Sequence, residues 1–235
     1  MKVEEKELIK AADLSITKAQ EELSLDPSRV ILGLPEGWIE GDKIRDEKKR
    51  VLKVLCDRLE LEPIGFVVTL EALITFLQQK QGTPINAIFI RLFENQVMVA
   101  LVRLGKIAGS KIVGRSNDLA ADVREGLARF NQQEELPSRI ILFDGLADFE
   151  EARQQLVSFD WQEHLPFLHF PKVEVLKVSD SIKAVAIAGG AEAARSLGFQ
   201  VREEEDKEKR EEAKMTDLGF IQGEAIIKIE EEKER

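Results

Sequence analysis

Between Asn86 and Gly145 the order of apolar runs leaves the chain little choice of fold. Three runs follow one another closely: Ala87–Ile90 (AIFI), Val97–Val102 (VMVALV) and Lys111–Gly114 (KIVG). Glu94-Asn95-Gln96 separates the first two, and a turn around Gly105 precedes the third. Short apolar runs bounded by turn residues read as strands, and connections this tight join neighbours into a meander. A helical stretch follows, with Leu119, Val123, Leu127 and Phe130 at steps of three or four. Then comes a fourth strand, Arg139–Phe143 (RIILF), which stops at Asp144-Gly145.

The rest of the chain keeps alternating. A helix over residues 3–23 carries Leu8, Ala12, Ile16, Ala19 and Leu23 on one face and ends at Asp26-Pro27. Arg29–Leu34 (RVILGL) is a strand closed by Pro35 and Gly37. A second helix aligns Leu52, Leu55 and Leu59, Glu62-Pro63 breaks it, and Ile64–Val68 forms the next strand. Thr69 stands where it would cap a helix running to Gln79, with Leu70, Leu73, Ile74 and Leu77 as its stripe. Ser116 or Asn117 would cap the helix that carries Leu119. Beyond Gly145, a helix from about Asp148 to Phe159, a strand Val173–Val178 and a small-residue helix Ser181–Leu197 are expected. Strands alternating with helical crossovers make this an α/β protein with a parallel or mixed sheet.

Composition narrows the function. Of 235 residues 33% are charged and the net charge is −10, which disfavours a phosphate backbone as partner; no nucleic acid is expected. The single cysteine, Cys56, excludes an internal disulfide and sits in an apolar helical stripe, reading as a structural thiol in a reducing cytosol. His164 and His169 lack the spaced acids or thiols of a zinc site, so no metal is expected. No apolar run reaches the roughly 20 residues of a membrane span, and a soluble protein is expected. Arg202–Lys214 (REEEDKEKREEAK) is nearly all charge, a solvated helix or spacer. It tethers a short apolar segment, Leu218-Gly219-Phe220-Ile221, followed by Ala225–Ile229. Such a segment either docks a partner or folds back as a strand.

The run Ile64–Val178 resembles the actin-like ATPases, in particular the division protein FtsA and the pilus-assembly protein PilM. Phe66-Val67-Val68-Thr69-Leu70 is similar to the strand entering the helix that links that family's two lobes. Ala87–Gly114 takes the place of its phosphate hairpin. Leu119–Phe130 followed by Arg139–Gly145 matches its helix, strand and glycine turn, and Asp180–Ala194 its closing small-residue helix. The resemblance implies an α/β, ribonuclease H-like architecture of two lobes with mixed sheets and flanking helices, the first lobe incomplete. On that basis residues 1–80 form a partial first lobe, with a hinge at Gln78–Pro84. Residues 81–200 form the second lobe, and 201–235 a tether with a docking segment.

The departures bear on function. The family grips phosphate with glycine-rich turns that let backbone N–H groups approach, and an acid places Mg²⁺ or water. The corresponding stretch here, Ile90-Arg91-Leu92-Phe93-Glu94-Asn95, has no glycine. The first-lobe hairpin is missing: either the chain is a fragment or the hairpin has been lost. Asp144 and Gly145, with Gly189 and Gly190, are the surviving nucleotide-binding candidates, although the alanines around Gly189-Gly190 favour close helix packing. The leading expectation is a scaffold without catalysis or cofactor, binding a protein partner such as the cytoplasmic tail of a membrane protein. It would be cytoplasmic, peripheral at the inner membrane through that partner, and open to self-association. The alternative is an ATP- and Mg²⁺-dependent ATPase whose first phosphate motif lies outside this chain. A third reading, an unrelated enzyme using Asp144 with Asp180 or His164, has no nucleophile–base spacing behind it.

Overall fold

The computed structural model describes residues 3–24, 26–41, 43–131, 134–143 and 149–196. In chain order the elements are α1 (Val3–Leu23), β1 (Arg29–Leu34), β2 (Ile39–Glu40), β3 (Lys43–Ile44), α2 (Asp46–Arg58), β4 (Glu62–Val68) and α3 (Thr69–Gln81). There follow β5 (Ala87–Leu92), β6 (Gln96–Arg103), β7 (Lys106–Gly114), α4 (Leu119–Ala128), β8 (Arg139–Phe143), α5 (Phe149–Ser158), β9 (Lys172–Val175) and α6 (Val178–Ser196). The described residues up to Ala193 make one compact unit. The docking segment Leu218–Ile221 and the tether lie outside the described residues, as do Asp144 and Gly145.

The meander is there, and it heads a five-stranded sheet of order β7-β6-β5-β8-β9. β5, β6 and β7 are antiparallel; β8 and β9 run parallel to β5, each reached through a helix. Both faces of the central strands are covered, which is why their sequences are continuous apolar runs rather than alternating ones. Ile88, Ile90, Val97, Val99, Ile140 and Leu142 face α4, α5 and Trp161. Ala87, Phe89, Met98, Ala100, Ile141 and Phe143 face α3. Gly126 lets α4 settle close to β6, since a Cβ there would stand 2.8 Å from Val99 Cγ2.

Besides the small hairpin β2–β3, a two-stranded sheet pairs β1 and β4 in parallel through the crossover α2. Its packing ties the chain together in an unexpected way. α3, which leaves β4, buries Leu70, Leu73, Ile74 and Leu77 against the five-stranded sheet. α6, which leaves β9, lies against β1 and β4. A Cβ on Gly33 would meet Val185 Cγ1 at 2.8 Å, one on Gly65 would meet Glu192 Cγ at 3.3 Å, and Gly189 faces Ile31 Cγ2 at 3.5 Å. Each sheet is thus covered by the helix that departs from the other. The lobe boundary expected at 80/81 falls at the end of α3, and the ends of the exchanged helices are pinned. Gln81 Oε1 accepts from Arg139 Nη1 at 3.0 Å, and Lys80 Nζ lies 3.9 Å from Asp180 Oδ2.

Some local expectations are corrected. Thr69 is the first helical residue of α3, not its cap; Val68 is the N-cap and makes no side-chain bond. The Thr69 hydroxyl instead donates to Leu34 O at 3.1 Å, joining the ends of β1 and β4. α4 is capped by Asp118, whose Oδ1 accepts from Ala121 N at 2.9 Å, rather than by Ser116 or Asn117. Ser116 turns to Asp122. β7 starts at Lys106 and not Lys111, because Leu104 (φ 48°) and Gly105 (φ 73°) complete a two-residue turn. α6 begins at Val178, three residues before the expected Ser181. The small hairpin β2–β3 was not foreseen.

The close seat at Gly33 sets a test. Gly33→Ala pushes a methyl into Val185 and is expected to destabilise the protein by about 1–3 kcal/mol in urea unfolding. Adding Val185→Ala should return part of that loss; equal losses in the single and double variants would mean α6 is not seated there.

Candidate functional site

In parallel α/β sheets ligands bind at the carboxyl ends of the strands. Here that edge gathers the end of β1 with its following turn Glu36–Trp38, the β5–β6 turn at Phe93-Glu94-Asn95, the β7–α4 junction and the end of β8. The register pairs Arg91 with Met98 on one side and with Phe143 on the other. Asp144 and Gly145 therefore follow directly on the residue beside Arg91, although their own placement is outside the described residues.

The β5–β6 turn is fastened by its neighbours. Phe93 N donates to Gln96 O at 2.9 Å, and Arg115 N donates to Asn95 O at 3.1 Å. The Arg115 guanidinium donates to Phe93 O at 2.8 Å. Leu92 is fully buried in the sheet core, and the Arg91 guanidinium lies over the Phe93 ring with Cζ 5.2 Å from its centroid.

Opposite this turn stands Glu36, the first residue after Pro35 at the end of β1. Its Oε2 is buried and accepts no hydrogen bond. Burial pushes the carboxyl above its ordinary value near 4.5, against smaller downward pulls from its own backbone N–H and from the Arg91 charge. Glu36, after β1, is thus within electrostatic reach of Arg91 on β5.

The helix end nearest the turn offers little to an anion. Leu119 N donates to Gln155 Oε1 at 3.0 Å, Ala121 N to Asp118 Oδ1 at 2.9 Å and Asp122 N to Asp118 O at 3.1 Å. Asp122, 7% exposed, accepts from Ser116 N at 2.7 Å and Ser116 Oγ at 2.8 Å. A triphosphate needs backbone N–H groups left outward and backbone free to approach. At this helix end the N–H groups of Leu119, Ala121 and Asp122 are already engaged within the chain, and the neighbouring β5–β6 turn carries no glycine.

The remaining candidates are dispersed. Gly189 and Gly190 lie well inside α6, where Gly189 packs on Ile31 and Gly190 has open space beside it. Asp180 is engaged by Lys80, and the exposed His164 leans on Phe159 with ring centroids 5.3 Å apart. Cys56 is buried at 3% exposure, and burial raises its thiol pKa. An open groove of about 310 Å³, lined by Glu71, Ile74, Thr75, Lys106 and Ile107, lies by the β6–β7 turn, at the far end of β6 from Phe93. Sequence reasoning missed Glu36. The available signal was an acid immediately after a parallel strand, at the edge where such sheets hold ligands.

No family model matches the chain, and no curated protein matches it. Solved structures do. The ethanolamine utilization protein EutJ from Carboxydothermus hydrogenoformans superposes with a TM-score of 0.52 at 13% identity, over 79% of this chain and 75% of that one. The fold is actin-like. The PilM–PilN type IV pilus biogenesis complex is also similar, with a TM-score of 0.44 at 12% identity over 70% of this chain and 63% of the other. MreB5 of Spiroplasma citri bound to ADP gives 0.33 at 14% identity, and this chain covers 34% of it. At these identities the likeness concerns architecture.

Glu36 titrates with a predictable sign. Its folded pKa is raised, so the folded chain holds this proton more tightly than the unfolded chain does. Stability should fall as pH rises from about 4.5 through the raised value, and the penalty should vanish below that window. Glu36→Gln removes the titration. Its stability relative to the unaltered protein should therefore climb between about pH 4 and pH 8 in chemical unfolding. A difference independent of pH would mean that Glu36 is solvated.

Proposed function

We propose that this chain is a non-catalytic actin-like scaffold that binds a protein partner in a membrane-associated assembly of the pilus or division kind. The observation that carries the reading is the β5–β6 turn, where an actin-like fold would grip phosphate: it has no glycine, Leu92 is fully buried, and Arg91 lies over the Phe93 ring. The Arg115 guanidinium clamps this turn through Phe93 O, an internal support for the turn where backbone would otherwise have to approach a phosphate. No helix among the described residues is long and apolar enough to cross a membrane, so attachment would pass through the partner. The apolar segment Leu218-Gly219-Phe220-Ile221 on its charged tether is the proposed docking contact, and self-association is compatible with the role.

The alternative, an ATP-binding ATPase whose first phosphate motif lies outside this chain, draws on one placement. Asp144-Gly145 follows the strand residue that pairs with Arg91. Calorimetry with ATP and Mg²⁺ separates the two. The scaffold reading expects no binding heat at micromolar nucleotide and no phosphate release. Micromolar affinity coupled to turnover would overturn it.

A further inference from the structure

The two halves of the chain repeat one pattern. α4, β8, α5, β9 and α6 follow one another as α1, β1, α2, β4 and α3 do, apart from the small hairpin β2–β3 inserted between β1 and α2, and in both the two strands are parallel neighbours. The first two helices of each set touch, α4 against α5 and α1 against α2. The difference is what flanks the first strand. β8 lies between β9 and β5; β1 has β4 on one side and no strand on the other among the described residues.

The consequence is visible residue by residue. Ile140, Ile141, Leu142 and Phe143 of β8 are all 0% exposed. In β1, which holds the same place, Val30, Ile31 and Leu32 are half-buried, Gly33 is exposed and Leu34 alone is buried. A row of unpaired backbone groups beside apolar side chains templates pairing unless it is guarded by charge, proline or shortness. The other edges carry such guards. β7 has Lys106 and Lys111, β9 is four residues long with Lys172 and Glu174, and β4 contains Pro63. Past Arg29, the run Val30–Leu34 carries none.

We infer that the free edge of β1 is a docking site for an extended apolar strand of a partner polypeptide, pairing in parallel along Val30–Leu34 as β5 pairs with β8. The second half supplies direction and chemistry. β5 runs parallel to its neighbour, and its paired Ile88, Phe89 and Ile90 are fully buried, so the incoming strand must be apolar on both faces. Two copies of this chain meeting edge to edge on a two-fold axis would pair antiparallel, which is not the arrangement the sheet provides beside β8. The inference relies on the scaffold reading for the strand belonging to a partner; the state of the edge itself is independent of nucleotide.

Hydrogen exchange on the full chain tests it, with a peptide of residues 86–95 (NAIFIRLFEN) as the probe. In the dilute chain alone, amides of Arg29–Leu34 should exchange about tenfold or more faster than those of Arg139–Phe143. Saturating peptide should slow the Val30–Leu34 amides by about tenfold while leaving 139–143 unchanged, and the same peptide with Ile90→Pro should not. Failure of the unaltered peptide to protect β1 overturns the proposal. So does protection in the free chain equal to that of β8. If that protection is released by Ile227→Pro, the chain's own carboxy-terminal segment is the occupant; if it grows with protein concentration, a second copy is. A nucleotide-binding result in calorimetry would overturn the scaffold role and leave these exchange outcomes as they stand.

Discussion

The structure depends on the contact between Gly33 and Val185. A Cβ at residue 33 would come within 2.8 Å of the valine, so absence of a side chain on β1 is what lets α6 lie on the two-stranded sheet. That sheet is too small to bury both faces by itself, and two strands are marginal without a packed helix. The reciprocal contact, α3 on the five-stranded sheet, buries Leu70, Leu73, Ile74 and Leu77 almost completely. Each fully buried leucine or isoleucine contributes on the order of 1.5–3 kcal/mol. The exchange of helices therefore carries a large part of the core, and it fixes the ends of β1, β5 and β8 relative to one another.

The charges at those strand ends follow from that geometry. With the two sheets held together through the exchanged helices, Glu36 and Arg91 each keep a side-chain atom out of solvent. Burial raises the Glu36 carboxyl despite the smaller opposing influence of the Arg91 charge. Close by, Arg115 holds the β5–β6 turn through Phe93 O, and Asp122 holds Ser116.

What the sequence revealed was mostly periodic and local. β1 and β8 were legible to the residue because each is a short apolar run closed by a strong breaker, Pro35 in one case and the Asp144-Gly145 pair in the other. α1 was legible from its stripe and from Asp26-Pro27. The length of β7 was not, since its exposed half alternates small and charged residues (Lys106, Ala108, Ser110) that lack an apolar signature. Thr69 was misplaced because a threonine before an apolar stripe looks like a cap, and nothing local announces a carbonyl 35 residues away. Glu36 and the α6–β1 seat were invisible for the same reason: both arise from packing between segments far apart in the chain. The candidate site inherits this limit. Its missing glycines could be read directly, but the charge that faces Arg91 could not.

The same seat has a consequence for how the protein comes into being. Val185 is about 150 residues downstream of Gly33, and synthesis at about 5–20 residues per second separates them by roughly 8 to 30 seconds. During that interval β1 and β4 can emerge and pair, but the helix that covers them has yet to be made. The two strands of the smaller sheet wait for a helix made long after them. Until α6 emerges, a nascent chain of this design shows an apolar sheet face to the ribosome surface and its attendant chaperones.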